Sequence, residues 1–247
     1  KELFINHISY FIKEMEEETM KMRKLLPFVA TTAIAASMFG FAANAEDFNL
    51  TVNLASEPQT MDPQMNTTLD GGTMMQHLFE GLMKWETTGE EQEGSDGTCD
   101  SSRITYGQAE SYDREENEDG TVSYTFHLRD DIYWSDGEPV TANDFAYAWR
   151  RLVDPATAAD YSYMIEAVVN APEIIDGEKD PSELGVEAVD DKTFKVTLST
   201  DLTYFEELCA FPALLPVRED IIEEKGDQWT FDVDSYVTNG AYKMTEW

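Results

Sequence analysis

The sequence is short of positive charge, histidine and cysteine. Its 247 residues contain 17 lysines and arginines against 50 aspartates and glutamates, a formal net charge of −33 at pH 7. Phosphates would repel so acidic a chain, which argues against nucleic acid and anionic membrane surfaces as partners. His77 and His127 lack neighbouring ligands at metal-site spacing, and G-x-S-x-G, Walker A and G-x-G-x-x-G motifs are absent. The sequence therefore predicts no enzyme, no metal site and no cofactor.

The apolar content is sufficient for a folded core. Hydrophobic residues make up 42% of the chain and aromatic residues 12%, which argues against a wholly disordered chain. Strand-like and helix-like segments alternate irregularly, without an internal repeat or a long linker rich in proline, glycine or serine. An α/β or mixed α+β fold follows from this pattern.

Residues 20–45 have the layout of a secretory signal peptide. Basic residues at 21, 23 and 24 precede an apolar run at 25–43, and a small-residue A-x-A site predicts cleavage between Ala45 and Glu46. A retained membrane anchor is the alternative. No cysteine lies near the cut, so a lipid-anchored form is not expected, and the mature protein should be periplasmic or secreted. Residues 1–19 fit neither a signal nor a domain, and we expect them to be a non-native upstream extension.

Hydrophobic periodicity predicts the main elements of the mature chain. Period-two alternation predicts strands at 48–54 and 122–128 and a hairpin of 186–189 with 194–198. Helical spacing predicts helices at 73–84 and 203–211. A further helix should start after Thr141, which has Asp144 at the capping position, and should stop at Asp154-Pro155.

The acidic stretch from Glu86 to Asp119 shows no apolar period. It lacks the ligand order of an EF-hand loop, so we expect a solvated loop rather than a calcium site. Cys99 lies in this stretch and Cys209 in the helix-like segment. Export would permit a disulfide between them, but the sequence does not show that they meet, and we favour unpaired cysteines.

Nine short segments, in order along the mature chain, resemble the family 5 extracellular solute-binding proteins, the oligopeptide and dipeptide receptors of ABC importers. The segments are EPQTMDP at 57–63, LFEGL at 78–82, YTFHLR at 124–129, WSDG at 134–137, PVTANDF at 139–145, YAWRR at 147–151, VDP at 153–155, VTL at 196–198 and TNGAY at 238–242. Each is weak alone, but together they span nearly the whole mature chain.

The resemblance implies the N-terminal portion of a type II-like periplasmic binding protein, whose two lobes close over a ligand by hinge motion. On that mapping, residues 46–77 begin lobe one, 78–217 form an inserted small domain and 218–247 return into lobe one, with truncation before lobe two. The implied function is the substrate-binding component of an ABC importer. It would act as a monomer, bind an extended oligopeptide and deliver it to the permease subunits.

The resemblance also implies ligand-facing positions. Tyr161 matches a tyrosine that lines the peptide site, Thr67 and Leu69 fall where lobe one contacts the ligand, and Phe211 falls where a relative has a histidine. It offers no matching cysteine pair. A non-peptide solute such as a nickel chelate, oligosaccharide or haem, a fragment without binding activity, and a periplasmic chaperone or enzyme remain alternatives.

Overall fold

The computed structural model describes residues 49–54, 56–91 and 100–246. The chain divides into two compact units, residues 1–52 and 53–247, and every helix and strand that the structure describes belongs to the second. The predicted upstream extension, the signal segment 20–45 with its Ala45–Glu46 cleavage site, and Cys99 lie outside the described residues. Within the described ranges, no helix is long and apolar enough to cross a membrane.

The second unit is a mixed α+β structure with two antiparallel sheets. Strands β1 and β2 form a separate hairpin, and the other strands form a four-stranded sheet in the order β3-β4-β6-β5. The helices are α1 Leu69–Leu78, α2 Ala142–Val153, α3 Ala171–Ile175, α4 Phe205–Leu208 and α5 Glu219–Lys225; the strands are β1 Met83–Glu91, β2 Asp100–Tyr106, β3 Ala109–Glu116, β4 Val122–Leu128, β5 Val186–Asp190 and β6 Thr193–Leu198. Short 3-10 helices occur at Ser162–Ile165, Pro181–Glu183, Pro212–Leu214 and Gly226–Thr230.

Helix α2 packs on the four-stranded sheet and forms the centre of the core. The Asp144 carboxylate accepts hydrogen bonds from the Thr141 amide at 2.8 Å and hydroxyl at 3.1 Å, which confirms the predicted capping. Trp149 is fully buried, and its ring lies edge-on to that of Phe194 on β6 at 5.2 Å. Strand β4 and the β5–β6 hairpin occupy their predicted places. Helix α2 contacts β5 and β6, and the β4 rings of Tyr124 and Phe126 pack on Phe205 of α4.

Residues far apart in sequence close the unit. The Gly240 amide donates to the Leu78 carbonyl at 2.8 Å, and the Asn239 side chain donates to the Glu80 carbonyl at 2.9 Å. The Tyr236 hydroxyl donates to the carbonyl of Met61 at 2.7 Å. The segments at 61–80 and 236–240 therefore lie side by side, although Glu80 and Asn239 are 159 residues apart in sequence.

Two predicted elements are wrong in type. Residues 49–54 have no regular secondary structure, and Leu50 and Val52 are 57% and 56% exposed, because alternation alone supplies no partner for a strand's backbone groups. The acidic stretch 86–119 is largely strand, since β1, β2 and β3 run through it. A strand with water on both faces needs no buried row of apolar residues, so no period-two hydrophobic pattern marks these strands in the sequence.

Two predicted helices have the wrong bounds. Helix α1 covers 69–78 rather than 73–84, because Thr68 caps its start and the backbone turns extended at Phe79. The segment predicted as a helix at 203–211 is helical only in α4, and the 3-10 turn that begins at Pro212 follows it. Proline lacks the amide that a continuing helix would need.

Candidate ligand-binding surface

Tyr161 and Phe211, two of the predicted ligand-facing residues, lie against each other. Their ring centroids are 5.3 Å apart and the planes meet at 88°, an edge-to-face contact that aromatic pairs favour. Both side chains are partly buried. Fifty residues of sequence separate them, so this contact is a product of the fold rather than of local structure.

The backbone beneath Tyr161 is fixed by the turn that follows it. The Met164 amide donates to the Tyr161 carbonyl at 3.0 Å, and this bond opens the 3-10 helix Ser162–Ile165. Ile165 at the end of that helix is 1% exposed and anchors the turn in the core. The Tyr161 side chain is thus held at the surface by a buried neighbour four residues away.

Tyr163 extends the pair into a row of three rings, and sequence reasoning missed it. Its ring centroid lies 6.2 Å from that of Tyr161, with an interplanar angle of 63°, and 54% of its surface is exposed. The only sequence signal is two tyrosines separated by one residue. We refer to Tyr161, Tyr163 and Phe211 as the ring row.

Phe211 is positioned by the turn Pro212–Leu214. The Leu214 amide donates to the Phe211 carbonyl at 3.0 Å, and the Leu214 carbonyl accepts from the indole Nε1 of Trp149 at 3.1 Å. Gln64, which is 1% exposed, donates through Nε2 to the carbonyls of Ala213 at 3.2 Å and Leu215 at 3.0 Å. Helix α2 and the loop that carries Gln64 therefore hold this turn from two sides.

A buried ion pair holds the loop that carries Gln64. The Arg151 guanidinium donates to both Asp62 oxygens, at 2.8 and 2.5 Å, and to Gln64 Oε1 at 2.9 Å. The side chains of Asp62 and Arg151 are 5% and 13% exposed. Trp229 Nε1 also donates to Asp62, at 3.3 Å. One carboxylate thus connects the early loop, helix α2 and the 3-10 helix at 226–230.

Thr67 and Leu69, the other two predicted positions, lie at the solvent-facing start of α1. Thr67 is exposed, and Leu69 is 85% exposed. Between them, Thr68 accepts a hydrogen bond from the Gly71 amide at 3.2 Å and caps the helix. Helix α1 lies beside the turn Pro212–Leu214. The structure therefore brings Tyr161 and Phe211 together directly, whereas helix α1, which Leu69 begins, contacts the turn that follows Phe211.

The segments that build this surface carry no positive charge. Residues 53–83, 152–178 and 196–217 contain no lysine or arginine. Asp160 and Glu166, which flank Tyr161 and Tyr163 in sequence, are exposed. Glu207, four residues before Phe211, is also exposed. The net charge of the segments that build this surface is therefore negative.

Cys209 has a structural environment. It is 1% exposed, and its carbonyl accepts a hydrogen bond from the Met83 amide at 3.4 Å. Burial raises the pKa of its thiol well above the ordinary value, which keeps it protonated and unreactive. That the two cysteines are unpaired stays a prediction, because Cys99 lies outside the described residues.

Comparison with known proteins identifies the family. The family model described as bacterial extracellular solute-binding proteins, family 5 Middle, matches residues 103–247, more than half of the chain. The chain belongs to this family, as the nine segments indicated. The family consists of substrate-binding proteins rather than enzymes.

The chain is similar to curated proteins and to a solved structure of the same family. The chain is 40% identical over 201 residues to the periplasmic oligopeptide-binding protein OppA of Haemophilus influenzae, with 81% of this chain and 34% of that protein covered. It is 38% identical over 197 residues to the probable deoxycholate-binding periplasmic protein YgiS of Escherichia coli, with 79% and 34% covered. The structure of H. influenzae OppA in complex with RPPGFSPFR has a TM-score of 0.66 and 41% identity, with 77% and 34% covered.

The predicted fold class is confirmed. The chain's structural neighbours, among them H. influenzae OppA and the murein tripeptide binding protein MppA, are periplasmic binding proteins of type II, and the described residues form a mixed α+β structure. The chain spans about a third of the length of the curated relatives it matches.

Proposed function

We propose that this chain is part of the extracytoplasmic substrate-binding component of an ABC importer, a non-enzymatic monomeric receptor that binds oligopeptides and delivers them to the permease subunits. The observation that carries the proposal is the similarity, at 41% identity, to a receptor whose structure holds the peptide RPPGFSPFR. The ring row agrees with this function, because half-exposed aromatic rings on fixed turns accept varied side chains at a low entropic cost.

The location and domain layout belong to the same proposal. Export would follow removal of residues 20–45 at Ala45–Glu46, which leaves a periplasmic receptor. Residues 46–77 and 218–247 would belong to lobe one, and 78–217 would be the inserted domain. The hydrogen bonds that join His77 to Tyr242 and Met61 to Tyr236 support a lobe assembled from these two segments.

Four residues are proposed as ligand contacts on this surface. Tyr161 and Phe211 would line a side-chain position through their paired rings. Thr67 and Leu69 would contact the ligand from the start of α1, where the exposure of Leu69 leaves a large apolar side chain available. The ligand itself would lie extended, with its main-chain groups hydrogen-bonded as in an added strand.

Calorimetry on the full-length receptor tests the proposal. We expect a mixture of tri- to pentapeptides to bind, and Tyr161→Ala to weaken binding about five-fold to thirty-fold, as the loss of a buried aromatic contact does. Tyr133→Ala is the matched control, since Tyr133 is 57% exposed and has no place on the ring row. An unchanged affinity for Tyr161→Ala would remove that residue from the site, and no binding of any peptide would refute the function.

A non-peptide solute is the second candidate, and one relative favours it. YgiS, 38% identical to this chain, is named as a probable deoxycholate-binding protein. A flat amphipathic ligand could also lie on a row of rings. Native mass spectrometry of the full-length protein, purified from the periplasm without refolding, separates the two candidates: co-purified peptides support the first, and a co-purified sterol or bile salt supports the second.

A further inference from the structure

The ring row offers more aromatic surface to solvent than the ring pair alone would. Tyr163 is 54% exposed, yet the backbone that bears it is rigid. Its carbonyl accepts a hydrogen bond from the Glu166 amide at 3.2 Å, and the Val168 amide bonds the carbonyl of Ile165 at 2.9 Å. Val168 in turn bridges to Leu198 at the end of β6. An exposed ring on a backbone fixed in this way is pre-organised for a contact.

The charges around the ring row are unbalanced in one direction. Of the cations that border its two segments, Arg151, Lys179 and Arg218 each form an ion pair with a carboxylate. Arg150 donates to the Val186 carbonyl at 3.2 Å. The carboxylates of these segments are therefore in excess over the cations that border them.

From these two observations we infer that Tyr163 is a further specificity-determining residue, whose ring receives a cationic lysine or arginine side chain of the bound peptide. The inference rests on the proposed peptide-binding function and names the class of side chain that this end of the surface selects. Two physical effects act together there. The ring faces attract a cation through their quadrupole, and the exposed carboxylates raise the local concentration of cations.

A neutral apolar side chain would satisfy only part of this arrangement. It would gain contact area with Tyr163 but nothing from the negative field. An acidic side chain would be repelled by Asp160 and Glu166, which are both exposed in the same segment. The expected order of preference at this position is therefore cationic, then neutral, then acidic.

The test compares isosteric peptides on the full-length receptor. In an alanine tetrapeptide, each position is replaced in turn by lysine or by norleucine, which has the same stem without the charge. We expect lysine to bind about three-fold to thirty-fold more tightly than norleucine at one position, the range of a cation–aromatic contact. Tyr163→Leu should abolish that ratio. Tyr163→Phe, which keeps the ring, should preserve it.

The controls keep the outcomes distinct. Tyr133→Leu removes a tyrosine of similar exposure and should leave the lysine-to-norleucine ratio at its wild-type value. Unaltered thermal unfolding of each variant shows that the fold is intact. If the wild type binds lysine and norleucine peptides equally, or if Tyr163→Leu keeps the full ratio, the inference is overturned while the proposed function stands. If no tetrapeptide binds at all, the proposed function fails and the inference fails with it.

Discussion

Asp62→Asn should destabilise the protein far more than the loss of one charge from an exposed ion pair. The substitution keeps the size of the side chain but leaves the Arg151 guanidinium buried without its counter-ion. The two side chains are 5% and 13% exposed, so water cannot replace the lost partner. Removal of one member of a buried ion pair costs about 3–5 kcal/mol. We expect a loss of that size in the free energy of unfolding.

Urea unfolding of the intact receptor, followed by tryptophan fluorescence, measures this loss. Trp229 donates to Asp62 and serves as a probe at the site. Glu86→Gln is the control, because its partner Arg103 forms an exposed pair with side chains 67% and 47% accessible, and such pairs contribute at most about 1 kcal/mol. Equal shifts of the urea midpoint for the two variants would refute the argument that burial makes the Asp62–Arg151 pair more important for stability than an exposed pair.

Two further predictions concern a close backbone contact and the net charge. Gly240→Ala should cost about 1–3 kcal/mol in the free energy of unfolding, because a Cβ there would lie 2.5 Å from the carbonyl carbon of Leu78; Gly72→Ala is the control, since its Cβ would meet nothing closer than 3.7 Å and alanine favours the helix. A destabilised Gly72→Ala and an unaffected Gly240→Ala would contradict this reading of the glycines. The thermal midpoint should rise by several degrees as NaCl increases from about 0.01 to 1 M, because screening shortens from about 30 to 3 Å and weakens repulsion within a chain of net charge −33. A flat or falling midpoint would show that paired charges, rather than the excess carboxylates, dominate the electrostatics.

Elements whose signals are local could be predicted from the sequence. Helix α2 follows from Thr141 with Asp144 at its start and proline after its end, and the structure shows both the capping bonds and the stop. Strand β4 and the β5–β6 hairpin follow from alternation in short segments that bury one face. In each case the residues that decide the structure lie within about ten positions of one another.

Contacts between distant segments explain why the predicted helix at 73–84 has the wrong bounds. The predicted helix at 73–84 ends early because the chain beyond Leu78 is drawn into backbone pairing with distant segments. The Gln108 amide donates to the Gly81 carbonyl at 2.8 Å, and a Cβ on Gly81 would lie 2.8 Å from the Cys209 carbonyl oxygen. Phe79 and Leu82 are three residues apart, as on one face of a helix, but both are buried in an extended segment that packs on two sides. Hydrophobic periodicity alone does not distinguish such a segment from a helix.

The candidate site was also predictable from the sequence only in part. Family resemblance indicated Tyr161 and Phe211, but no local pattern indicated that their rings touch. Gln64 and Asp62 carried no functional signal in the sequence, because their partners Ala213 and Arg151 lie 149 and 89 residues away. Tyr163 was missed for a different reason. An exposed tyrosine in a turn is an ordinary surface residue until its neighbours and the surrounding charges are known.

The structure separates the residues that hold this surface from those that present it. Asp62, Gln64 and Trp149 are buried and fix the backbone of the turn after Phe211. Tyr163 is half exposed on a turn anchored by Ile165, so its replacement removes a contact without opening a cavity in the core. Ligand preference can therefore change at Tyr163 while the free energy of unfolding stays constant, whereas changes in the buried set should reduce stability and the affinity for every peptide together.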